Sequence, residues 1–332
     1  MIRSLVAPHE LTEETSQLIR RNLTLEKLED ALNGEDVVWI DIVDPEEREI
    51  NWIERMLKLH PNVVNDLRTE NGRPTLMVYP KYLFVTLFEP MSHKQEIITS
   101  EIHCILGNSF FITVRKSNIK SVPDAYDRVA NNATQWRLGE GYFLYLVAQY
   151  VIDSYYPLMD RMSIQLNAIE ERLMNEDERK KVRERSIYTI KQQLISLRQM
   201  VAPQREVLSS MIGEERLALQ AEMRELFRHL YERVLRVYDL IDSQRELCTN
   251  VLEMLNSYES QRMVDAVSRL TILSMIFLPL TFITSLFDIG FVNTANPLIL
   301  PIGGNILFGF VIAAMIGSTG MMFWYFRKRG WV

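Results

Sequence analysis

Cysteine is almost missing from this chain of 332 residues. The two present, Cys104 and Cys248, lie far apart, with no CxxC pair and no histidine at metal-ligand spacing. That excludes a disulfide framework and a thiolate zinc site, and it points to reduced, structural thiols in the cytosol. Basic clusters of the kind a nucleic-acid groove needs are missing too, so no nucleic acid partner is expected. The opening residues, MIRSLVAPHELTEE, lack the apolar stretch of a signal peptide, and the amino-terminal part is expected to stay where it is made. No nucleophile with a base, no phosphate loop and no metal-ligand cluster marks the soluble part, which argues against an enzyme. His60-Pro61 and His103-Cys104 are isolated and fit core or turn roles. Repeats and low-complexity tracts are also lacking.

What the chain does contain is concentrated at its end. Leu270 to Phe287 reads LTILSMIFLPLTFITSLF, and Ile306 to Phe326 reads ILFGFVIAAMIGSTGMMFWYF. Each is long enough to cross a hydrocarbon core of about 30 Å at about 1.5 Å per helical residue. The loop between them, 288–305, has one charge, Asp288, and no basic residue. Arg269 precedes the first segment and Arg327-Lys328-Arg329 follow the second. Basic flanks around an uncharged-to-acidic loop place both flanks, and with them both termini, on the cytoplasmic side. The expectation is a multi-pass protein of the cell (inner) membrane with a large cytoplasmic part. Residues 264–332 sum to a charge of +2, so the remainder holds −8 of the net −6. An acidic cytoplasmic part is a solvated surface or a domain that meets cations.

Residues 1–138 read as a compact α/β domain. Val37 to Val43, VVWIDIV, is a strand ending at Asp44-Pro45, after which Pro45 and Glu46-Glu47 open a helix to about Leu59. Tyr82 to Phe88, Ile102 to Leu106 and Phe110 to Val114 are further strands. Residues 139–213 read as a helical hairpin, about Gly141 to Met174 and Glu178 to Met211, turning at Asn175-Glu176-Asp177. Glycine and proline are then absent from Glu214 to Leu278. A single helix of roughly 65 residues there would span on the order of 100 Å. The remaining divisions are 214–287 for this stalk and first membrane helix, 288–305 for the external loop, 306–326 for the second membrane helix and 327–332 for a basic tail.

Val264, Val267, Thr271, Ser274, Leu278, Thr281, Ser285 and Asp288 recur at alternating spacings of three and four, the seam of a helix that packs against copies of itself. The hydroxyls on that seam have two readings. They let membrane helices approach closely and hydrogen-bond to their own backbone, or they line a water-filled pore with Leu278 and Val267 as apolar constrictions. Asp288 at the outer end is either a hydrated loop residue or one of a ring of carboxylates that gathers cations. Pro279 leaves the carbonyl of Met275 without its usual helical partner, to face a pore or to accept from a neighbouring hydroxyl. One hairpin cannot enclose a path, so conduction requires an oligomer.

Taken together, Trp39-Ile40-Asp41-Ile42-Val43-Asp44-Pro45, Asn71-Gly72-Arg73-Pro74 with Tyr82-Leu83-Phe84, Phe111-Ile112-Thr113-Val114, Tyr231 through Arg245-Glu246-Leu247, Phe277-Leu278-Pro279-Leu280-Thr281-Phe282-Ile283 and the closing Gly330-Trp331 are specific. The chain resembles the CorA metal ion transporter superfamily over nearly its whole length. The resemblance implies an α+β cytoplasmic domain followed by long helices and a two-helix transmembrane hairpin, assembled as a funnel-shaped homopentamer in membrane lipid. It also implies transport of Mg2+, Co2+, Ni2+ or Zn2+, with divalent cations as substrates and as regulators and no other cofactor.

The departures from the family pattern fall at its functional positions. The Gly-Met-Asn that ends the first membrane helix, Gly-Ile-Asn in the zinc-transporting branch, is replaced by Asp288-Ile289-Gly290, leaving the Asp288 carboxylate as the polar substitute at the outer mouth. The family's inner pore-lining Asn matches Val264, and the basic residue four positions later matches Ser268. Small pore-facing positions match Ser274 and Ser285. An acidic residue that binds regulatory Mg2+ two positions before Tyr231 is His229 here. A neutral imidazole suits Zn2+, Ni2+ or Co2+ better than Mg2+, making His229 a candidate regulatory ligand; among Arg228 and Glu232 it also fits a solvated helix surface. A divalent cation channel and a non-conducting, CorA-like membrane sensor or scaffold are therefore both compatible with the sequence.

Overall fold

A computed structural model of the chain describes residues 1–8, 18–69, 72–94, 96–117, 119–213, 221–286 and 304–328. The expected outer mouth, Asp288-Ile289-Gly290, lies outside them, as do Asn71, residues 214–220, most of the loop and the tail beyond Lys328. Two compact units form, Met1–Glu253 and Met254–Val332.

The first unit is built on a seven-stranded sheet in the order β2-β1-β3-β7-β6-β5-β4. Its strands are β1 (Ile2–Ala7), β2 (Arg20–Arg21), β3 (Val37–Val43), β4 (Thr75–Val78), β5 (Tyr82–His93), β6 (Glu96–Gly107) and β7 (Phe110–Arg115). Only β3 and β7 pair in parallel. β3 is apolar almost throughout because both of its faces are covered. Its period of two sends Val38, Ile40 and Ile42 into a core with α1 (Leu25–Asn33), α2 (Glu47–Leu57) and α3 (Pro61–Arg68). The alternate residue Trp39 stacks on Phe143, with ring centroids 5.3 Å apart, and meets Tyr126 and Phe111 edge-on. Tyr126 belongs to α4 (Ser121–Ala130) and Phe143 to α5 (Glu140–Asp153).

Asp41, on the same face of β3 as Trp39, is completely buried. Its carboxylate accepts from Thr113 Oγ1 at 2.9 Å, from Arg115 Nε and Nη2 at 3.1 and 2.9 Å, and from Arg3 Nη2 at 2.8 Å. Arg3 and Thr113 are its register partners on β1 and β7, so one carboxylate joins three strands. The Arg3 guanidinium lies 4.5 Å from the centre of the Tyr126 ring. Burial pushes the Tyr126 phenol up to about 12.

Two elements are longer than the sequence suggested. β5 and β6 continue as a hairpin to His93 and from Glu96, beyond the apolar runs, through alternating, partly exposed residues. β1 and β4 are short strands that no long apolar run announces.

The helical hairpin is more divided than expected. The first helix breaks at Ser154 into α5 and α6 (Tyr155–Met174), because Pro157 has no N–H to return to the Asp153 carbonyl. Glu176–Arg179, expected partly as turn, forms a short α7, and α8 runs from Glu184 to Gly213 through Pro203. A buried polar junction fastens these helices to the sheet. The Gln204 side chain of α8 accepts from the Phe88 amide at 3.0 Å and donates to the Tyr155 hydroxyl at 2.6 Å, and that hydroxyl donates to the Phe88 carbonyl at 3.0 Å.

The long helix α9 spans Ala221–Leu286 without interruption at Pro279. Met223, Phe227, Leu230, Val234, Val237 and Ile241 are buried at the alternating spacing of a packing seam. Arg233 pairs with Asp153, and Arg198 of α8 pairs with Asp242 at 2.9 Å. Both cysteines are free and buried, Cys248 with its thiol 3.6 Å from the Ile187 carbonyl. In the second unit, α9 is followed by α10 (Gly304–Lys328). Each contains a stretch long and apolar enough to cross a membrane, and at the end of α10 the Lys328 ammonium sits 5.2 Å from the Trp324 ring.

Two stability predictions follow from the buried acids. Asp41→Ala strands two arginines beside the sheet, and about 3–5 kcal/mol of stability should be lost. Asp36→Ala, which removes the more exposed Arg20 pair, should cost about 1 kcal/mol or less. Melting followed by tryptophan fluorescence reads both, and equal midpoints for the two variants would contradict the assignment. Glu89 is the second case: burial raises its carboxyl above the ordinary range, even though it accepts from Ser121 Oγ at 2.6 Å and from the Ser121 and Lys120 amides. The fold therefore favours the neutral acid. That contribution is complete below the ordinary glutamate range and is lost as pH rises through the elevated folded value. The melting midpoint of Glu89→Gln relative to the parent should rise between about pH 5 and about pH 8. A difference that stays constant over that range would refute the linkage.

Candidate functional site

The candidate site is the membrane half of α9. At about 100° per residue, Val264, Val267, Thr271, Ser274, Leu278, Thr281 and Ser285 fall within an arc of about 100°. All seven are exposed, Leu278 by 71% and Val264 by 58%. Ile272, Ile276, Pro279, Leu280 and Ile283 are half-buried and are the only residues of 271–285 that are not exposed. Their centre lies roughly 155° around the helix from the stripe. Leu280 shares a groove with Met315, Ile316, Thr319, Gly320 and Phe323 of α10. The two helices of the hairpin thus meet on one side of α9, and the stripe faces away from α10. The recurrence of Ile272, Ile276, Leu280 and Ile283 at spacings of four and three is the sequence signal for this contact, an apolar one within a run that is apolar throughout.

Three of the four hydroxyls of the stripe are tied to the backbone. Thr271 Oγ1 donates to the Val267 carbonyl at 2.8 Å, Ser274 Oγ to Leu270 at 2.9 Å and Thr281 Oγ1 to Phe277 at 2.7 Å. Thr284, off the stripe, donates to Leu280 and Thr281. The hydroxyl bonds described for this segment therefore do not end on the Met275 carbonyl that Pro279 deprives of a partner. Back-bonding commits each hydroxyl hydrogen and leaves the oxygen lone pairs facing outward. The two sequence readings of these residues are compatible: a hydroxyl that bonds its own helix still offers an acceptor to water.

His229 lies on the cytoplasmic half of α9 with its side chain 70% exposed, and its Nδ1 is 3.7 Å from Glu232 one helical turn away. Among the described residues, no group of three or more His, Cys, Asp and Glu side chains is placed to hold a metal ion. Among the described residues, the carboxylate paired with His229 is that of Glu232.

A mixed α/β amino-terminal domain, a helix of 66 residues that becomes apolar in its second half and a final apolar helix define a membrane protein of the CorA type. Residues 34–328 match the family described as CorA-like Mg2+ transporter protein, and the chain belongs to that family. It is 25% identical over 327 residues to the protein YfjQ of Bacillus subtilis, covering 96% of both chains. It is 24% identical over 288 residues to the cobalt/magnesium transport protein CorA of Thermotoga maritima, covering 82% of this chain and 77% of that one. The CorA magnesium transporter structure from Methanocaldococcus jannaschii shares the fold with a TM-score of 0.78 at 17% identity, over 99% of this chain and 98% of that one. Membership places α10 and the apolar half of α9 in the membrane.

Proposed function

We propose that this chain is one subunit of a membrane pathway for divalent cations, formed where the α9 stripes of several copies face a common axis. Mg2+, Co2+, Ni2+ and Zn2+ are the candidate cargo; relatives in the family carry names that specify cobalt, magnesium or zinc. The observation that carries the reading is the stripe itself. A helix that packs one face against α10 and turns a band of acceptor oxygens and two apolar rings to the opposite side has a face for its own copies. Five copies, as the resemblance implies, would enclose it. Mg2+ gives up its water reluctantly, so acceptors that take hydrogen bonds from the hydration shell suit a cation that travels hydrated. Val267 and Leu278 supply narrow apolar rings between the hydroxyl levels. Asp288 supplies negative charge at the external end, in place of the missing Asn ring. Both termini are cytoplasmic in this arrangement, by the positive-inside rule.

Two expected outcomes test it. With the native cysteines buried, Ser274→Cys should cross-link between subunits on mild oxidation and Ile276→Cys, turned toward the other side of α9, should not; the reverse pattern removes the pore assignment. In proteoliposomes loaded with ion-sensitive dyes, Asp288→Asn should lower divalent flux by roughly tenfold at neutral pH and flatten its decline on acidification. Thr284→Ala should change little. Flux equal to the parent from pH 6 to 8 would leave Asp288 as a loop carboxylate. Absence of flux for all four ions in the unmodified protein would favour the non-conducting sensor or scaffold.

A further inference from the structure

We propose that a basic groove on the first unit is a binding site for a nucleoside triphosphate. The groove is a cavity of about 690 Å³ between the β5–β6 hairpin, α6 and the start of α8. Its cations are Lys94 from the hairpin tip, Arg161 and Arg172 on one face of α6 about three turns apart, and Arg183 and Arg185 at the beginning of α8. Among the described residues no Asp or Glu lines it. That is not the background of this molecule, whose net charge is −6.

Five cations gathered around one concavity repel each other and raise the local concentration of anions. All five are exposed at the rim. Arg161 donates to Ser92 Oγ at 3.3 Å, which holds its guanidinium on the hairpin side, and Arg172 is 4.0 Å from Glu178. Guanidinium groups present paired donors that match phosphate oxygens, so the lining favours phosphate over a simple halide. α8 is 30 residues long, and Arg185 and Ser186 stand in its first turn, where the positive end of the helix dipole adds to the side-chain charge. Glu184 shares that turn but is not part of the lining.

The floor selects among phosphates. Leu158, Met162, Ile169 and Ile190 are buried beneath the rim and form an apolar surface. Inorganic polyphosphate has nothing to place there. A nucleotide has a flat base for the floor and a charged tail for the rim. The volume falls in the range of small-molecule sites, roughly 300–1,000 Å³. Gln165, Thr189 and Gln193 supply polar side chains for a ribose or base edge.

Binding is measured calorimetrically on the intact, detergent-solubilised protein in EDTA, so that neither cation flux nor the α9 stripe enters the result. ATP should bind saturably, weaken as salt rises, and bind about tenfold or more tighter than tripolyphosphate. Arg183→Gln with Arg185→Gln should weaken ATP about tenfold or more, and Arg161→Gln should weaken it while Arg161→Lys retains part of the affinity. Arg48→Gln, on an exposed arginine paired with Glu46, should leave binding unchanged. Elution of each variant at the parent volume distinguishes lost binding from lost folding, and Arg172→Gln provides a second rim position if one variant fails. Absence of saturable ATP binding overturns the site, as it would if an acidic surface of a neighbouring copy fills the groove. Equal affinity for tripolyphosphate and ATP overturns the nucleotide assignment.

Discussion

The amino-terminal sheet depends on one carboxylate out of reach of water. Asp41 is compensated by a hydroxyl and two guanidinium groups from the strands on either side of it. A buried ion set of this kind adds little net stability over an apolar replacement, but it penalises every arrangement that separates its members. Slipping β1 or β7 by one residue would turn Arg3 or Thr113 to the opposite face and strand Asp41. The register of β1, β3 and β7 is therefore tied to electrostatics as well as to packing, and it is this register that sets Trp39 against Phe143 and seats α5. From α5 the chain reaches α6 and α8, whose attachment to β5 rests on Gln204 and Tyr155.

Two kinds of surface alternate along α9. In its first half the buried seam from Met223 to Ile241 is paired with neighbours of its own chain, and ion pairs such as Arg233 with Asp153 fix it laterally. In its second half, large apolar side chains including Leu270, Phe277 and Phe282 are uncovered. In water such a surface would aggregate; in hydrocarbon it is matched by its solvent. The change from one condition to the other occurs within a continuous hydrogen-bonded helix.

The sequence disclosed what depends on composition and period. The apolar lengths of the membrane segments, the continuous run of β3 and the freedom of α9 from glycine and proline are local properties, and each corresponds to an element in the structure. The stripe on α9 was legible for the same reason, because helical geometry alone decides which residues share a face. What escaped was relational. β1 is six residues with no long apolar run, and its ladder with β3, which sets Arg3 opposite Asp41, is a contact that no local window shows. The outer hairpin of β5 and β6 is polar enough to read as loop, yet its cross-strand ladder holds to His93 and Glu96. The break at Ser154 hinges on Pro157, three residues beyond it, which the sequence showed only as an interruption. Lys94, Arg161, Arg172, Arg183 and Arg185 are scattered over 92 positions, and no local window reveals that they surround one cavity.

The hydroxyls of Thr271, Ser274 and Thr281 have a bearing on proton movement. Proton hopping needs groups that accept on one side and release on the other, each hydrogen passing to the next oxygen in line. Here every one of those hydrogens is directed back into a carbonyl of the preceding turn. A hydronium arriving beside such a row finds lone pairs but no relay, since each step forward would first have to break a short bond to the helix. The row presents acceptors without free donors, so in the proposed pathway water in front of it, rather than the protein, would have to carry any proton current.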